Sequence, residues 1–202
     1  MMFDSEEEIP VRSAIFAGSF DPPTKGHENI IVRASKLFDK LYVAMAHNPK
    51  KKYKFFTETR YKMLESIIKA NKLDNVEIIT VTSNELTVDR AKELGASVLI
   101  RSCRNAKDFE YESELAYNNR LLNSEIETLI LPVEPKFYYI SSTNARAAID
   151  DLIFKGHVEE GYKMLANYVP ESTYKYFNFF VGCPGKDIKM RDYVDGKQET
   201  TV

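Results

Sequence analysis

Ala14-Ile15-Phe16-Ala17-Gly18-Ser19-Phe20-Asp21-Pro22-Pro23-Thr24-Lys25-Gly26-His27 reads as a buried strand running into a helix. Residues 14–17 are a short apolar run closed by glycine, which in length and flanks fits a strand buried on both faces. Gly18 stands where backbone comes close to a ligand. Pro22 and Pro23 stiffen the turn and end strand pairing. Gly26 opens the helix and His27 lies in its first turn, after which Ile30, Ala34, Leu37 and Phe38 recur at helical spacing.

The same alternation continues outward. Residues 41–46 form a second apolar strand. Thr57 is placed to cap a helix that buries Tyr61, Leu64 and Ile68. Asp74-Asn75 is a turn before a β-branched strand over 76–81. A helix over 86–94 stops at Gly95, a good C-terminal cap. A strand over 98–100, a long helix over 109–122 and a fifth strand over 126–131 follow. Ser141 or Ser142 caps a helix through Ile149, with more helix over about 158–166 and 171–179. Five strands interleaved with helices imply right-handed crossovers, hence an α/β, Rossmann-like, doubly wound parallel sheet covered on both faces, with C-terminal helices. The domain is expected over 1–180, with a loose leader at 1–11, and a polar tail over 181–202. Ligands of such sheets bind beyond the strand C-termini.

Bulk properties narrow the function. The 202 residues carry a net charge of −2, with 44% hydrophobic and 29% charged residues. No broad basic field is present to draw the chain onto nucleic acid or an anionic membrane. No apolar run approaches the roughly 18–20 residues of a membrane helix, and the acidic start is unlike a secretory signal. Two distant cysteines, Cys103 and Cys183, favour a reducing cytoplasmic compartment and are too few for structural zinc. The segment from Gly182 to Lys186 resembles a phosphate-binding P-loop only faintly and lacks its spacing.

The loops carry the chemistry. A helix N-terminus offers free N–H donors and partial positive charge, so the loop from Gly18 to His27 is suited to phosphate, with His27 and Thr24 as added donors. Alone, His27 also fits a surface histidine in a tight turn; the whole ten-residue string fits that reading poorly. A second strand-to-helix junction, Ile140-Ser141-Ser142-Thr143-Asn144-Ala145-Arg146, sets hydroxyls and N–H groups at another helix start, with Arg146 one turn on. Taken singly it is an ordinary serine cap beside a solvated arginine. Together the two predict that distant segments converge on one polyphosphate.

Thr24-Lys25-Gly26-His27 and the serine loop resemble the T/H-x-G-H and I-S-S-S/T-x-x-R/K signatures of the nucleotidyltransferase superfamily. Arg101, Arg104, Asp108, Phe109, Glu110, Tyr111 and Glu112 resemble the pattern of phosphopantetheine adenylyltransferases, with Ser102-Cys103 in place of the usual Gly-Leu. Asn48-Pro49-Lys50-Lys51 resembles that family's N-P-x-K segment, with Lys51 as its lysine, whereas Lys50, Lys52 and Lys54 read as a solvated patch. The resemblance spans about residues 13–176. It implies that Ser19, Lys51, Thr87 and Arg101 hold 4′-phosphopantetheine. It also implies that Ser19, Phe20, His27, Ser102, Cys103, Arg104, Glu112 and Phe137, Tyr138, Tyr139, Ile140, Ser141, Ser142 and Thr143 hold ATP. Thr24 and Arg146 are expected on the same phosphates, and a homo-oligomer, typically a hexamer, is implied.

The expected reaction is transfer of AMP from ATP to a phosphate monoester, with His27, Lys51 and Arg101 as its catalytic groups. Such a nucleophile is already anionic, so neither a general base nor a Ser-His-Asp array is needed, and positioning with charge neutralisation is the task. Mg²⁺ is expected on the phosphates rather than on a protein cage. Asp108, Glu110, Glu112 and Glu114 read as scattered around a helix and solvated, or paired with Arg104 and Arg120. Adenylyl transfer to nicotinate or nicotinamide mononucleotide, a cytidylyltransferase, and a catalytically silent nucleotide-binding protein remain as alternatives. The segments around Lys51 and Arg101 favour phosphopantetheine.

Overall fold

In the computed structural model, which describes residues 11–178 and Met190, five strands alternate with helices. They are β1 (Ser13–Gly18), β2 (Lys40–Ala46), β3 (Val76–Val81), β4 (Val98–Cys103) and β5 (Glu127–Pro132). All pairs are parallel, in the order β3-β2-β1-β4-β5. The winding direction reverses between β1 and β4, and that switch point is where the sheet opens a ligand crevice.

Right-handed crossovers put α1 (Lys25–Ser35) and α2 (Thr57–Ala70) on one face, and α3 (Thr87–Glu93) and α4 (Ala106–Leu122) on the other. Side chains alternate accordingly. Ala14 and Phe16 of β1 pack with Ile30, Ile31 and Leu64, while Ile15 packs with Val88, Ala91 and Leu99. The expected doubly wound sheet is present.

Four local readings change. On α2 the buried stripe is Arg60, Met63, Leu64 and Ile67, and Tyr61 is 41% exposed. The stripe is rotated because the Arg60 guanidinium reaches inward to the Ser19 carbonyl (2.6 Å). Thr57 is the first helical residue rather than the cap. β4 runs on through Arg101, Ser102 and Cys103, because Ile130, Leu131 and Pro132 of β5 continue the ladder beside them. Residues 171–176 form a 3-10 turn rather than an α-helix.

Coverage of the second face is incomplete. α4 buries no residue, and Phe109, Tyr117, Leu121 and Leu122 are exposed along it. It stands off the sheet over a cavity of about 150 Å³ lined by Ile15, Ala17, Leu99, Leu115 and Asn119, among others. Gly95 closes α3 in the left-handed region (φ 65°), as its cap position requires.

After β5 come α5 (Ser142–Ala147), a π-helical turn (Ala148–Leu152) and α6 (Val158–Tyr168). These elements pack Ala145, Ile149, Tyr162, Leu165 and Phe177 against Phe55 and Met63. Each such large side chain contributes about 1.5–3 kcal/mol by burial, so this cluster anchors the second helix start to the main domain. Met190 is buried in the same cluster, and its N–H donates to Asn178 Oδ1 (3.1 Å). The rest of the expected tail over 181–202, with Cys183 and the Gly182 to Lys186 segment, and the leader up to residue 10 lie outside the described residues. No helix among the described residues is long and apolar enough to cross a membrane.

Candidate active site

The turn after β1 is built around Phe20. Its backbone is in the left-handed region (φ 46°), which is costly for an aromatic residue. The ring is fully buried, edge-on to Phe16 (centroids 5.7 Å) and to His27 (5.0 Å). A Cβ on Gly18 would lie 3.1–3.2 Å from that ring. The close approach of Phe20 therefore requires a glycine at position 18, which also lines the cleft above the strand ends.

Thr24 caps α1. Its side chain accepts from the His27 N–H (3.4 Å), and the Thr24 N–H donates to His27 Nδ1 (3.0 Å), a reciprocal capping box. A backbone N–H only donates, so Nδ1 is unprotonated and the neutral ring carries its proton on Nε2. Burial, helped by the nearby Arg104 charge, pushes the imidazole down to about 4. His27 is thus a neutral Nε2–H donor at physiological pH.

The second helix start is tied directly to the first. Ser141 caps α5, accepting from the Asn144 N–H (3.1 Å). The Ser142 hydroxyl donates to the Pro22 carbonyl (2.8 Å), and Arg146 Nη1 donates to the Asp21 carbonyl (2.5 Å). Arg146 Nη2 also holds Thr143 Oγ1 (3.2 Å). Segments 120 residues or more apart therefore meet in one assembly.

Two arginines at the end of β4 complete the wall. Glu112 accepts from Arg101 Nε (2.5 Å) and Nη2 (3.1 Å), and Asp108 accepts from Arg104 Nε (2.8 Å). Asp108 thus pairs with Arg104 as expected and Glu110 and Glu114 are exposed, whereas Glu112, one turn on from Asp108, takes Arg101, and Arg120 pairs with Glu127. Burial, with Asp108 and Glu112 nearby, pushes the Cys103 thiol up, so this cysteine is held in the protonated state.

A cleft of about 390 Å³ lies above the strand ends. Its lining includes Ser19, Thr24, His27, Lys51, Arg101, Ser102, Arg104, Glu112, Ile140, Ser141, Ser142, Thr143 and Arg146. The imidazole, the serine loop, the lysine and the arginine from β4 thus share one space, and Asp108 and Tyr111 join them. Other expected contacts stand elsewhere. Phe20 supports His27 from below, and Cys103 is buried at the end of β4. Thr87 lines the cavity beneath α4, which shares Ala17 and Arg101 with the cleft. Phe137 faces a separate depression with Lys25 and Glu171, because it ends the 3-10 turn Pro135–Phe137. Tyr138 and Tyr139 pack edge-on to each other (5.0 Å) and are exposed.

Two supporting residues, Asp21 in the first loop and Arg60 beyond the segment that resembles N-P-x-K, had no role assigned to them from sequence. Asp21 is 2% exposed, and its carboxylate accepts from the N–H groups of Lys54 and Phe55 (2.9 Å each). Arg60 is 3% exposed, lies 4.3 Å from the Tyr53 ring and holds the Ser19 carbonyl. The available signals were an acid inside the Gly18 to His27 loop, and a charge at helical spacing from Leu64 and Ile67.

Fold and site define a Rossmann-like domain with a polar, arginine-lined cleft at its switch point. The chain belongs to the cytidylyltransferase-like family, whose model matches residues 15–148, and within it to the phosphopantetheine adenylyltransferases. It is 42% identical over 161 residues to a phosphopantetheine adenylyltransferase of Streptococcus gordonii, covering 80% of this chain and 90% of the relative. It is 45% identical over 158 residues to a protein of the same name from Streptococcus pneumoniae, covering 78% and 90%. Among solved structures, nicotinic acid mononucleotide adenylyltransferase of Plasmodium falciparum, complexed with NaAD, superposes with TM-score 0.61 at 16% identity. That likeness covers 85% of this chain and 98% of the other, and shows the shared fold.

Proposed function

We propose that this chain transfers AMP from ATP to 4′-phosphopantetheine, giving dephospho-coenzyme A and pyrophosphate. One observation carries the reading: two helix starts, joined through Ser142 and Arg146, face a single cleft that also holds His27, Lys51 and Arg101. The relatives' names supply the acceptor.

An oxygen of the acceptor phosphate attacks the α-phosphorus of ATP. The new P–O bond forms as the bond from the α-phosphorus to the bridging oxygen breaks, and the electron pair leaves with pyrophosphate. No proton is transferred, because a phosphate monoester with a second pKa near 6 is already largely dianionic. His27 Nε2–H donates to the α-phosphate as charge builds there, and its fixed tautomer requires no reorganisation. Lys51 and Arg101 offset repulsion between the two anions. Arg101 is already forked against Glu112, so its remaining N–H groups are held in a set orientation. The N–H groups of the serine loop, with Thr24 and Arg146, hold the outer phosphates. Ser19, Ser102, Arg104 and Ile140 flank the nucleotide. The apolar cavity beneath α4, with Thr87 at its edge and Asn119 as an amide partner, suits the pantetheine arm.

We assign Mg²⁺ to the polyphosphate and water. Among the described residues no three His, Cys, Asp or Glu side chains cluster, and both carboxylates of the cleft are engaged by arginine. The exposed apolar side of α4 supports self-association, and the resemblance sets the proposed state at a hexamer. The free, buried Cys103 accords with a cytoplasmic enzyme.

The test is pyrophosphate release from ATP and Mg²⁺ with a panel of phosphorylated acceptors. Release with 4′-phosphopantetheine alone is expected. Release with nicotinate mononucleotide instead would reverse the assignment, and the absence of release with every acceptor would indicate a silent nucleotide binder.

A further inference from the structure

Lys51 sits on an exposed loop between β2 and α2, yet its proposed task demands a set position. The loop is fixed at its start by the His47 N–H on the Val81 carbonyl (2.9 Å), and the Tyr53 hydroxyl accepts from the Asn48 N–H (2.6 Å). Its far end is held differently. Asp21 Oδ2 accepts from the Lys54 N–H and Oδ1 from the Phe55 N–H, both at 2.9 Å. Asp21 does not line the cleft. Its buried carboxylate lies 3.8 Å from Arg146 Nη1, and its own carbonyl accepts from that guanidinium. A buried carboxylate holds its place only when donors and cations compensate it, and here these come from the lysine loop and from α5. A single side chain therefore connects the two places where different anions are to be gripped.

We infer that Asp21 is a positioning residue, which docks the loop bearing Lys51 against the first turn and sets that lysine in register with Arg146. The inference rests on the reading above, in which Lys51 faces the acceptor phosphate. Removing the charge and one acceptor in Asp21→Asn releases one of the two loop amides and unbalances Arg146. Lys51 then samples positions away from the cleft, and kcat/KM for 4′-phosphopantetheine falls roughly 10- to 100-fold, the scale of an ångström misplacement.

The test is a double-mutant cycle on kcat/KM for 4′-phosphopantetheine, with Asp21→Asn, Lys51→Ala and both together. Amide hydrogen exchange on the unmodified enzyme runs beside it. A positioning role predicts that Asp21→Asn costs little more once Lys51 is gone. It also predicts that the Lys54 and Phe55 amides are slow in the unmodified enzyme while that of Lys52 is fast. Losses that multiply independently, or an Asp21→Asn enzyme within threefold of wild type, overturn the inference. So does fast exchange at Lys54 and Phe55, a readout that stands even if the variant does not fold. A Lys51→Ala enzyme as active as wild type instead refutes the role given to Lys51, and leaves the exchange result to decide the docking of the loop.

Discussion

Replacing His27 by alanine separates a structural histidine from a catalytic one. The ring accepts from the Thr24 N–H at 3.0 Å, lies 3.0 Å from the Thr24 hydroxyl, and packs against Phe20 at 5.0 Å and Phe16 at 6.3 Å. Half of the capping box survives, because Thr24 still accepts from the backbone N–H of residue 27. The loss of stability is therefore about 1–2 kcal/mol, from one cap interaction and the ring contacts. For a chain of this size that is a fall in Tm of about 2–8 °C. The transition state loses one fixed donor, about 10²- to 10³-fold in kcat, or about 3–4 kcal/mol. The catalytic effect thus exceeds the structural one, and kcat falls while both KM values stay within about threefold. Steady-state pyrophosphate release with each substrate varied in turn, beside thermal unfolding, reads all of these. A folded His27→Ala enzyme turning over within threefold of wild type would remove this imidazole from the chemistry. The same variant carries a signature in pH. The folded imidazole sits at about 4 against an ordinary 6.5, so the unfolded chain binds the proton more readily between those values. Wild-type stability is complete above about pH 6.5 and falls as pH drops toward 4, by up to about 3 kcal/mol, and His27→Ala loses that slope.

Three further outcomes follow from named contacts. Gly18→Ala drives a methyl to 3.1–3.2 Å from the Phe20 ring and should cost about 1–3 kcal/mol in denaturant unfolding, with kcat falling as His27 loses its support. Arg101→Lys keeps the charge but loses the fork against Glu112, so kcat/KM for 4′-phosphopantetheine should fall by at least about tenfold, with little change in Tm. Leu121→Asp on the exposed side of α4 (Leu121 is 69% exposed) should shift sedimentation toward monomer while leaving the secondary structure unchanged by circular dichroism.

Much of this architecture was legible because it is local. The strand ending at Gly18, the serine cap of α5, and the glycine that stops α3 are each set by a few neighbouring residues. Their φ/ψ needs and hydrogen-bonding groups can be read in order. The failures were those where a distant partner decides. The stripe of α2 turned because Arg60 answers a carbonyl across the loop, and β4 lengthened because β5 offered a ladder beside it. Tyr138 and Tyr139 belong to the same loop as Ile140, yet only Ile140 lines the cleft, since the 3-10 turn before them sets the direction of each side chain.

The sequence by itself determined an alternating α/β chain, two phosphate-seeking helix starts, and the residue types suited to a reaction between two anions. Periodicity, capping and turn chemistry act over a handful of residues and leave their marks in order. Only the tertiary structure decided that Ser142 and Arg146 close onto Pro22 and Asp21, that Glu112 forks Arg101, and that His27 is neutral with its proton on Nε2. Those outcomes depend on burial and on groups brought together from opposite ends of the chain, which no local pattern records.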